Sequence, residues 1–291
     1  MRASTPEASA SRPSSRIDWQ HLLTEAVTKP GVIAAAYSMF WNYSLCNMML
    51  AHLQCLVRGI EPGPLHTFKG WLKVGRHVRR GEKALKLVMP VTVRTKGSGP
   101  PIASRPNGHD ADGDDSRRTI FVERPFWFTL SQTDGEPYTP VVIPDWDETQ
   151  ALSQLDITRV PFRHLDGNCQ GYAHQRNVSV SLIAFLPHRT LLHEVAHVIL
   201  GHTAESTGEL SDTDTPTPRD LREVEAESVA MLCCSSLGLG GQEFSRGYIQ
   251  HWTKSEQIPD RSIQRIFKAA DAILKAGRPP APTPESDSPP A

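Results

Sequence analysis

His193 and His197 stand four residues apart in an apolar stretch, and Glu194 directly follows the first of them. On an α-helix that spacing puts both imidazoles on one face, one turn apart, so both can reach a single ion. Glu194 is then placed to hydrogen-bond a water on the ion rather than the ion itself, the general-base position of the H-E-x-x-H pattern. The chemistry this set allows is metal-assisted hydrolysis at a Zn2+ site, with Mn2+ or another divalent ion also acceptable. Pro187 fits the first turn of the helix, where a missing N–H costs nothing, and Leu191, Leu192, Val195, Val198 and Ile199 supply an apolar side to bury.

Such a site needs a third protein ligand and one open position. Downstream, Thr217-Pro218-Arg219-Asp220 reads as a helix start, with Thr217 as cap, Pro218 at the first position and Asp220 as the capping-box acid. The helix then runs from Leu221 to about Leu237, and Glu223, Ala226, Glu227, Ala230 and Cys234 share one of its faces. Their small neighbours permit a close approach to the histidine helix. Glu223 can then ligate the ion while Glu227, one turn on, holds the free ring nitrogen of a ligand histidine. His202 is a rival third ligand. It lies five residues after His197, whereas metzincins place a glycine three after and a histidine six after, where this chain has Leu200 and Thr203. The bland alternative is a solvated acidic helix face, and Glu225, turned about 100° from its neighbours, is expected to be solvated.

Thr190-Leu191-Leu192-His193-Glu194-Val195-Ala196-His197, followed by Glu223-Val224-Glu225-Ala226-Glu227, resembles the zincin-type metallopeptidase domain of ArdC antirestriction proteins and, more distantly, ImmA/IrrE-type proteases. Phe40 to Asn47, Trp71 to Lys83 and Ser131-Gln132-Thr133 resemble the N-terminal single-stranded-DNA-binding domain of ArdC, which the ImmA-type proteases lack. The resemblance covers roughly residues 17 to 240. It implies an α+β chain with an N-terminal α+β ssDNA-binding domain and a C-terminal zincin-like α+β metallopeptidase domain. It also implies His193, His197 and Glu223 as metal ligands, Glu194 as the catalytic glutamate, single-stranded DNA and a protein or peptide substrate as partners, and an antirestriction role.

Read without the family, Asn42 to about Val57 places Leu45, Met48, Met49, Leu53 and Leu56 at helical spacing, with His52 on the same face as a satisfied core group. Thr67 can cap a short helix from Phe68 to Val74 that Gly75 ends, and Leu85 to Val93 alternates as a strand. Between Lys69 and Lys86 the charges are Lys69, Lys73, Arg76, Arg79, Arg80, Lys83 and Lys86 against Glu82 alone, in a chain of formal net charge -1. Aromatic residues lie nearby, so the stretch can hold unpaired nucleic acid; the competing reading has the aromatics in the core and the charges on a solvated face. Taken with the resemblance, Arg76, Arg79, Arg80 and Lys83 are expected on phosphates and Asn42, Tyr43 and Trp71 on bases. Gly75 to Lys83 is no nucleotide loop: Glu82 stands where lysine belongs, and no Ser or Thr follows Lys83.

The expected organisation is a disordered tail over 1–16, a first domain over 17–140 with a mobile loop at 97–116, a second domain over 141–276 and a second tail over 277–291. The junction is expected near 135 to 150, where prolines and acidic residues gather. Residues 168 to 174 and 177 to 182 read as a hairpin, one strand of which can align an extended peptide, with Tyr172 or His174 polarising the scissile carbonyl. Phe244 to Trp252 and Ser262 to Lys275 read as closing helices, Tyr248 being a further oxyanion-donor candidate. The five cysteines form no C-x-x-C pair and are expected to be reduced packing residues. No apolar stretch approaches the roughly 20 residues of a membrane helix, and no signal core is visible, so a cytoplasmic protein is expected.

Overall fold

The computed structural model describes residues 17–94, 117–163, 169–203, 217–255 and 257–279. The expected tail 1–16, the loop 97–116 and residues 280–291 of the second tail lie outside them. The fold is α+β. Its first half runs α1 (Trp19–Thr28), α2 (Val32–Phe40), α3 (Leu45–Arg58), β1 (Leu65–Thr67), α4 (Phe68–Lys73), β2 (Arg76–Val78), β3 (Leu85–Arg94), β4 (Arg117–Thr129) and β5 (Thr133–Gly135). The second half runs α5 (Glu148–Gln154), β6 (Thr158–Arg159), β7 (Gly171–His174), β8 (Asn177–Val180), α6 (Pro187–Ile199), α7 (Arg219–Leu237), α8 (Gln242–Ser255) and α9 (Asp260–Ala276).

Helix α7 is the axis of the molecule. Every residue from Val224 to Ser236 is buried, because α6, α8, α9 and α2 all pack against it. A helix enclosed on all sides is one its neighbours are built around. Helices α1, α2 and α3 lie on α7, α8 and α9, so buried side chains from both halves form one continuous cluster. Residues 136–147, at the expected junction, hold no regular element. Trp146 then ties the chain to α9 by donating its ring N–H to the Ile273 carbonyl at 3.1 Å.

In the first half, β4 pairs antiparallel with β3 and with β1. Helix α3 is fastened to β3 by two amides seven residues apart. Asn47 brackets the backbone of Val88 (3.0 and 2.8 Å) and Gln54 that of Lys86 (2.8 and 2.9 Å), as a neighbouring strand would. The helix begins at Leu45 rather than Asn42 because Ser44 caps it, accepting from the Asn47 N–H. Leu56 is exposed, which narrows the expected apolar face to Leu45, Met48 and Met49, with Leu53 half-buried. His52 is in the core but its Nδ1 has no partner among the described residues, and burial lowers its pKa, keeping the ring neutral. Thr67 caps α4 as expected, its hydroxyl accepting from the Gly70 N–H at 3.1 Å.

In the second half, β6, β8 and β7 form a small sheet in that order, with β7 at the edge and β6 parallel to β8. The sequence did not signal β6. Helix α7 starts at Arg219, with Pro218 at the cap and no side-chain cap, one position later than expected. Cys46, Cys55, Cys233 and Cys234 are free, buried thiols. Burial pushes Cys46 and Cys234 up to about 12 and Cys55 up to about 11. The first residues of the expected C-terminal tail are packed rather than loose: the Gly277 carbonyl accepts from the Asp147 N–H at 2.8 Å, and Arg278 lies 4.8 Å from the Tyr37 ring centroid.

Asp271 on α9 accepts the Leu45 N–H at 2.6 Å where the first half meets the second. Burial raises its pKa from 3.8 to about 6, with Lys275 and the hydrogen bond opposing. Because the folded value lies above the unfolded one, this group's contribution to stability is complete below about pH 4 and is lost as pH rises through about 6. Asp271→Asn keeps the acceptor and removes the ionisation. Its unfolding free energy should therefore gain on the wild type by on the order of 2 kcal/mol between those pH values, read by denaturant titration at each.

Candidate metal centre

Helix α6 carries His193 and His197 because its apolar side, Leu191, Leu192, Val195 and Val198, is buried and turns the opposite face toward α7. The two Nε2 atoms lie 3.1 Å apart. Glu223 Oε2, from the first turns of α7, lies 3.5 Å from one and 3.6 Å from the other. Three atoms so spaced share a centre about 2 Å from each, the bond length of zinc to imidazole and carboxylate. Among the described residues, His193, His197 and Glu223 are the group whose donor atoms converge in this way.

The outer ring nitrogens decide which tautomers are present. His193 Nδ1 lies 3.0 Å from Glu227 Oε2, and Glu227 also pairs with Arg189, whose Nε donates to Ser245 at 3.0 Å. Burial alone would raise the Glu227 pKa, but the hydrogen bonds from His193 and Ser245 and the charge of Arg189 hold it at about 2. A carboxylate only accepts, so His193 Nδ1 carries the hydrogen and its Nε2 offers a lone pair.

His197 is held differently. Its Nδ1 lies 3.0 Å from His202 Nδ1, and His202 Nε2 lies 2.8 Å from Glu225 Oε2. Glu225 accepts further from Arg265 at 3.4 Å. Burial and the charges of His197 and Arg265 outweigh Glu225 and lower the His202 pKa, so the ring is neutral. With Nε2–H given to Glu225, His202 Nδ1 must accept, and His197 Nδ1–H must donate. Both Nε2 lone pairs therefore point at one another and at the Glu223 carboxylate. That arrangement repels itself unless positive charge sits between the donors, which is the fit expected of a divalent cation. A proton answers the same need when no cation is there: burial would lower the His193 pKa, yet Glu223 and Glu227 raise it to about 9, so at neutral pH the ring carries a second hydrogen, on Nε2, which a bound cation would displace.

One sequence expectation changes here, and the rival third ligand falls away. His202 does not join the converging donors; it orients one of them. Glu225 is not solvated but fully enclosed, because α7 runs through the core and α9 covers the side expected to face water. The signal for His202 lies in Gly201. This glycine, at φ 76°, ends α6 in a Schellman turn: its N–H bonds to Val198 O at 3.1 Å and that of His202 to His197 O at 2.9 Å, which folds His202 back beside His197.

Glu194 is buried beside the donors, and burial raises its pKa against the pull of His193 and His197. Strand β7 crosses in front of it so closely that a Cβ on Gly171 would come within 3.0 Å of Glu194 Oε1 and 2.6 Å of Thr190 Cγ2. Tyr172, Ala173 and His174 of this strand line a cleft of about 430 Å³ with Glu194, His197 and Glu223. Of the two hairpin members, β7 is thus the one bordering the cleft. The Tyr248 side chain lies outside the described residues.

The first-half candidates separate sharply. Trp71 is 0% exposed, with its ring N–H on Phe128 O at 2.9 Å, so it cannot stack on a base. Arg76 spends its guanidinium on Thr133 Oγ1 and on the carbonyls of Thr133, Gly135 and Glu136, holding β5 and the turn after it. Arg79 is taken up by Glu82 at 2.9 Å and the Ser131 carbonyl. Arg80 and Lys83 are exposed, and no partner holds their side chains among the described residues. Their loop is fixed by Gln132, which donates to Glu82 Oε2 (2.9 Å) and Lys83 O (3.0 Å). Asn42 is exposed; Tyr43 is half-buried and donates to Leu65 O. Phe68, the first residue of α4, is 51% exposed.

The family model for the N-terminal domain of anti-restriction factor ArdC matches residues 14–130. Two solved structures of the antirestriction protein ArdC from the R388 plasmid share the fold. The metal-free form has a TM-score of 0.52 at 18% identity and the Mn(II)-bound form 0.51 at 19%, each covering 90% of this chain and 98% of that one. An uncharacterized Bacillus anthracis protein, pXO2-81, is 24% identical over 285 residues; the match covers 83% of this chain and 46% of that relative, so the chain spans about half its length.

Ligands and the residues that orient them should separate in a metal titration. Glu223→Ala should abolish stoichiometric Zn2+ or Mn2+ binding, whereas His202→Ala and Glu227→Ala should weaken it by roughly 10- to 100-fold. Calorimetry on the folded variants checks this; unchanged affinity in His202→Ala would remove its orienting role.

Proposed function

We propose that this chain, whose residues 14–130 match the ArdC N-terminal domain model and whose fold is that of ArdC, is an antirestriction protein that binds single-stranded DNA and hydrolyses peptide bonds in DNA-associated proteins at a zinc or manganese centre. The observation that carries the peptidase reading is the convergence of three donors beside a buried glutamate, in a cleft bordered by an edge strand. His193, His197 and Glu223 would hold the ion. Bound there, it supplies Lewis acidity, activating water and polarising the carbonyl.

The protein's own groups do the rest. An extended peptide lies antiparallel or parallel to β7 and pairs with its outer edge, which brings a scissile carbonyl over Glu194. Glu194 takes the proton of the attacking water on its carboxylate and delivers it to the departing amine nitrogen. A carboxylate whose pKa is raised by burial is better matched to that two-way transfer near neutral pH than an exposed one. Tyr172 or His174, at the cleft wall, can donate to the carbonyl oxygen. On the DNA side, Arg80 and Lys83 serve as phosphate contacts and Phe68 takes the stacking role that Trp71 cannot.

A second reading keeps DNA binding and antirestriction but makes the metal structural. The ArdC protein from the R388 plasmid has been solved both metal-free and Mn(II)-bound, so that protein keeps its fold without the ion.

Glu194→Gln separates the readings. It should retain metal and DNA binding while lowering peptide hydrolysis by about 10²- to 10⁴-fold and abolishing protection of incoming DNA; full protection by this variant would establish the structural reading. For the DNA contacts, Arg80→Ala with Lys83→Ala should weaken oligonucleotide binding and reduce its log–log salt slope by roughly 1.4, about 0.7 per lost single-strand phosphate contact.

A further inference from the structure

The cleft has a wall that the chemistry above does not use. Opposite β7, the first turn of α7 brings Arg219 and Arg222 into the lining. Arg222 donates one NH1 hydrogen to His202 O at 3.4 Å and leaves its Nε buried without an acceptor. Arg219 is exposed and has no partner among the described residues. Neither forms an ion pair with Glu223, which faces the two histidines instead. Two guanidiniums in one wall, neither held by an ion pair among the described residues, attract an anion, and a carboxylate or phosphate oxygen matches their N–H geometry best.

We infer that Arg219 and Arg222 form a carboxylate-recognition site, so that this cleft prefers peptides carrying an acidic group close to the scissile bond. The carboxylate is either an Asp or Glu side chain or the substrate's own C-terminus. A peptide is favoured over a nucleic acid for two reasons. Strand β7 presents main-chain donors and acceptors that an extended peptide matches and a phosphodiester strand does not. A polyanion crossing the cleft would also run against Glu194 and Glu223, whereas one carboxylate can rest on the guanidiniums with a neutral amide over Glu194. The inference rests on the peptidase reading.

The test uses the full-length, Mn2+- or Zn2+-loaded protein and three peptide hydroxamates of equal length, whose hydroxamate binds the metal directly. One is neutral and amidated, one amidated with a glutamate beside the hydroxamate, and one neutral with a free C-terminal carboxylate. At least one acidic ligand should bind about tenfold more tightly than the neutral one, and which of them does so identifies the source of the carboxylate. In Arg222→Gln and Arg219→Gln that preference should shrink to about threefold or less, while the neutral ligand, which reports an intact centre, binds as before. Equal binding of all three to the wild type overturns the carboxylate site and leaves the peptidase reading standing. Failure of every hydroxamate to bind overturns both. Arginine-dependent displacement by an oligonucleotide that exceeds the acidic ligand's preference reassigns the arginines to phosphate.

Discussion

Helix α7 carries Glu223, Glu225 and Glu227 in five residues, and from Val224 to Ser236 it runs through the middle of the molecule with no solvent side. A carboxylate taken out of water must be given partners or it neutralises. The molecule supplies a different answer to each. Glu227 is paired with His193 and Arg189, Glu225 with His202 and Arg265, and Glu223, at the less enclosed end, faces the two ring nitrogens across the cleft. The centre is therefore a consequence of how the core is filled. Small residues on α7, among them Ala226 and Ala230, keep the two helices near enough for the pairs to form.

These pairs do more than stabilise. Each fixes a hydrogen on an outer ring nitrogen, and so leaves a lone pair on the inner one. Two imidazoles and a carboxylate are thereby oriented toward one point, and a cation binding there would displace the proton that the raised pKa places on His193. The second support reaches from α9 through Arg265, Glu225 and His202 to His197, so the packing of a C-terminal helix is coupled to the orientation of one ligand.

The first half of the chain shows how charge count misleads when backbone geometry claims the charges. Arg76 and Arg79 are spent on carbonyls and on Glu82, and they shape the loop that presents Arg80 and Lys83. The Ser131-Gln132-Thr133 segment has the same duty: Gln132 and Ser131 hold that loop and the chain at Glu61. Trp71, surrounded by His66, Phe128 and Tyr138, anchors the short helix beside it.

The sequence alone determined what depends on local spacing. The four-residue histidine interval, the glutamates one turn apart on the later helix, Thr67 as a cap, and the alternation from Leu85 all translate into local structure with no outside help. The hairpin before α6 and the closing helices were legible for the same reason, whereas the α+β class came from the resemblance. Tertiary structure decided what depends on neighbours far along the chain. Whether Glu225 meets water depends on α9, whether Trp71 is reachable depends on β4, and whether Arg76 is free depends on the carbonyls of β5. Two-residue β6 was invisible because its pairing partner, not its own pattern, makes it a strand. His202 lay between these cases: Gly201 marked the turn, but only the packed ring of His197 gave the turn its purpose.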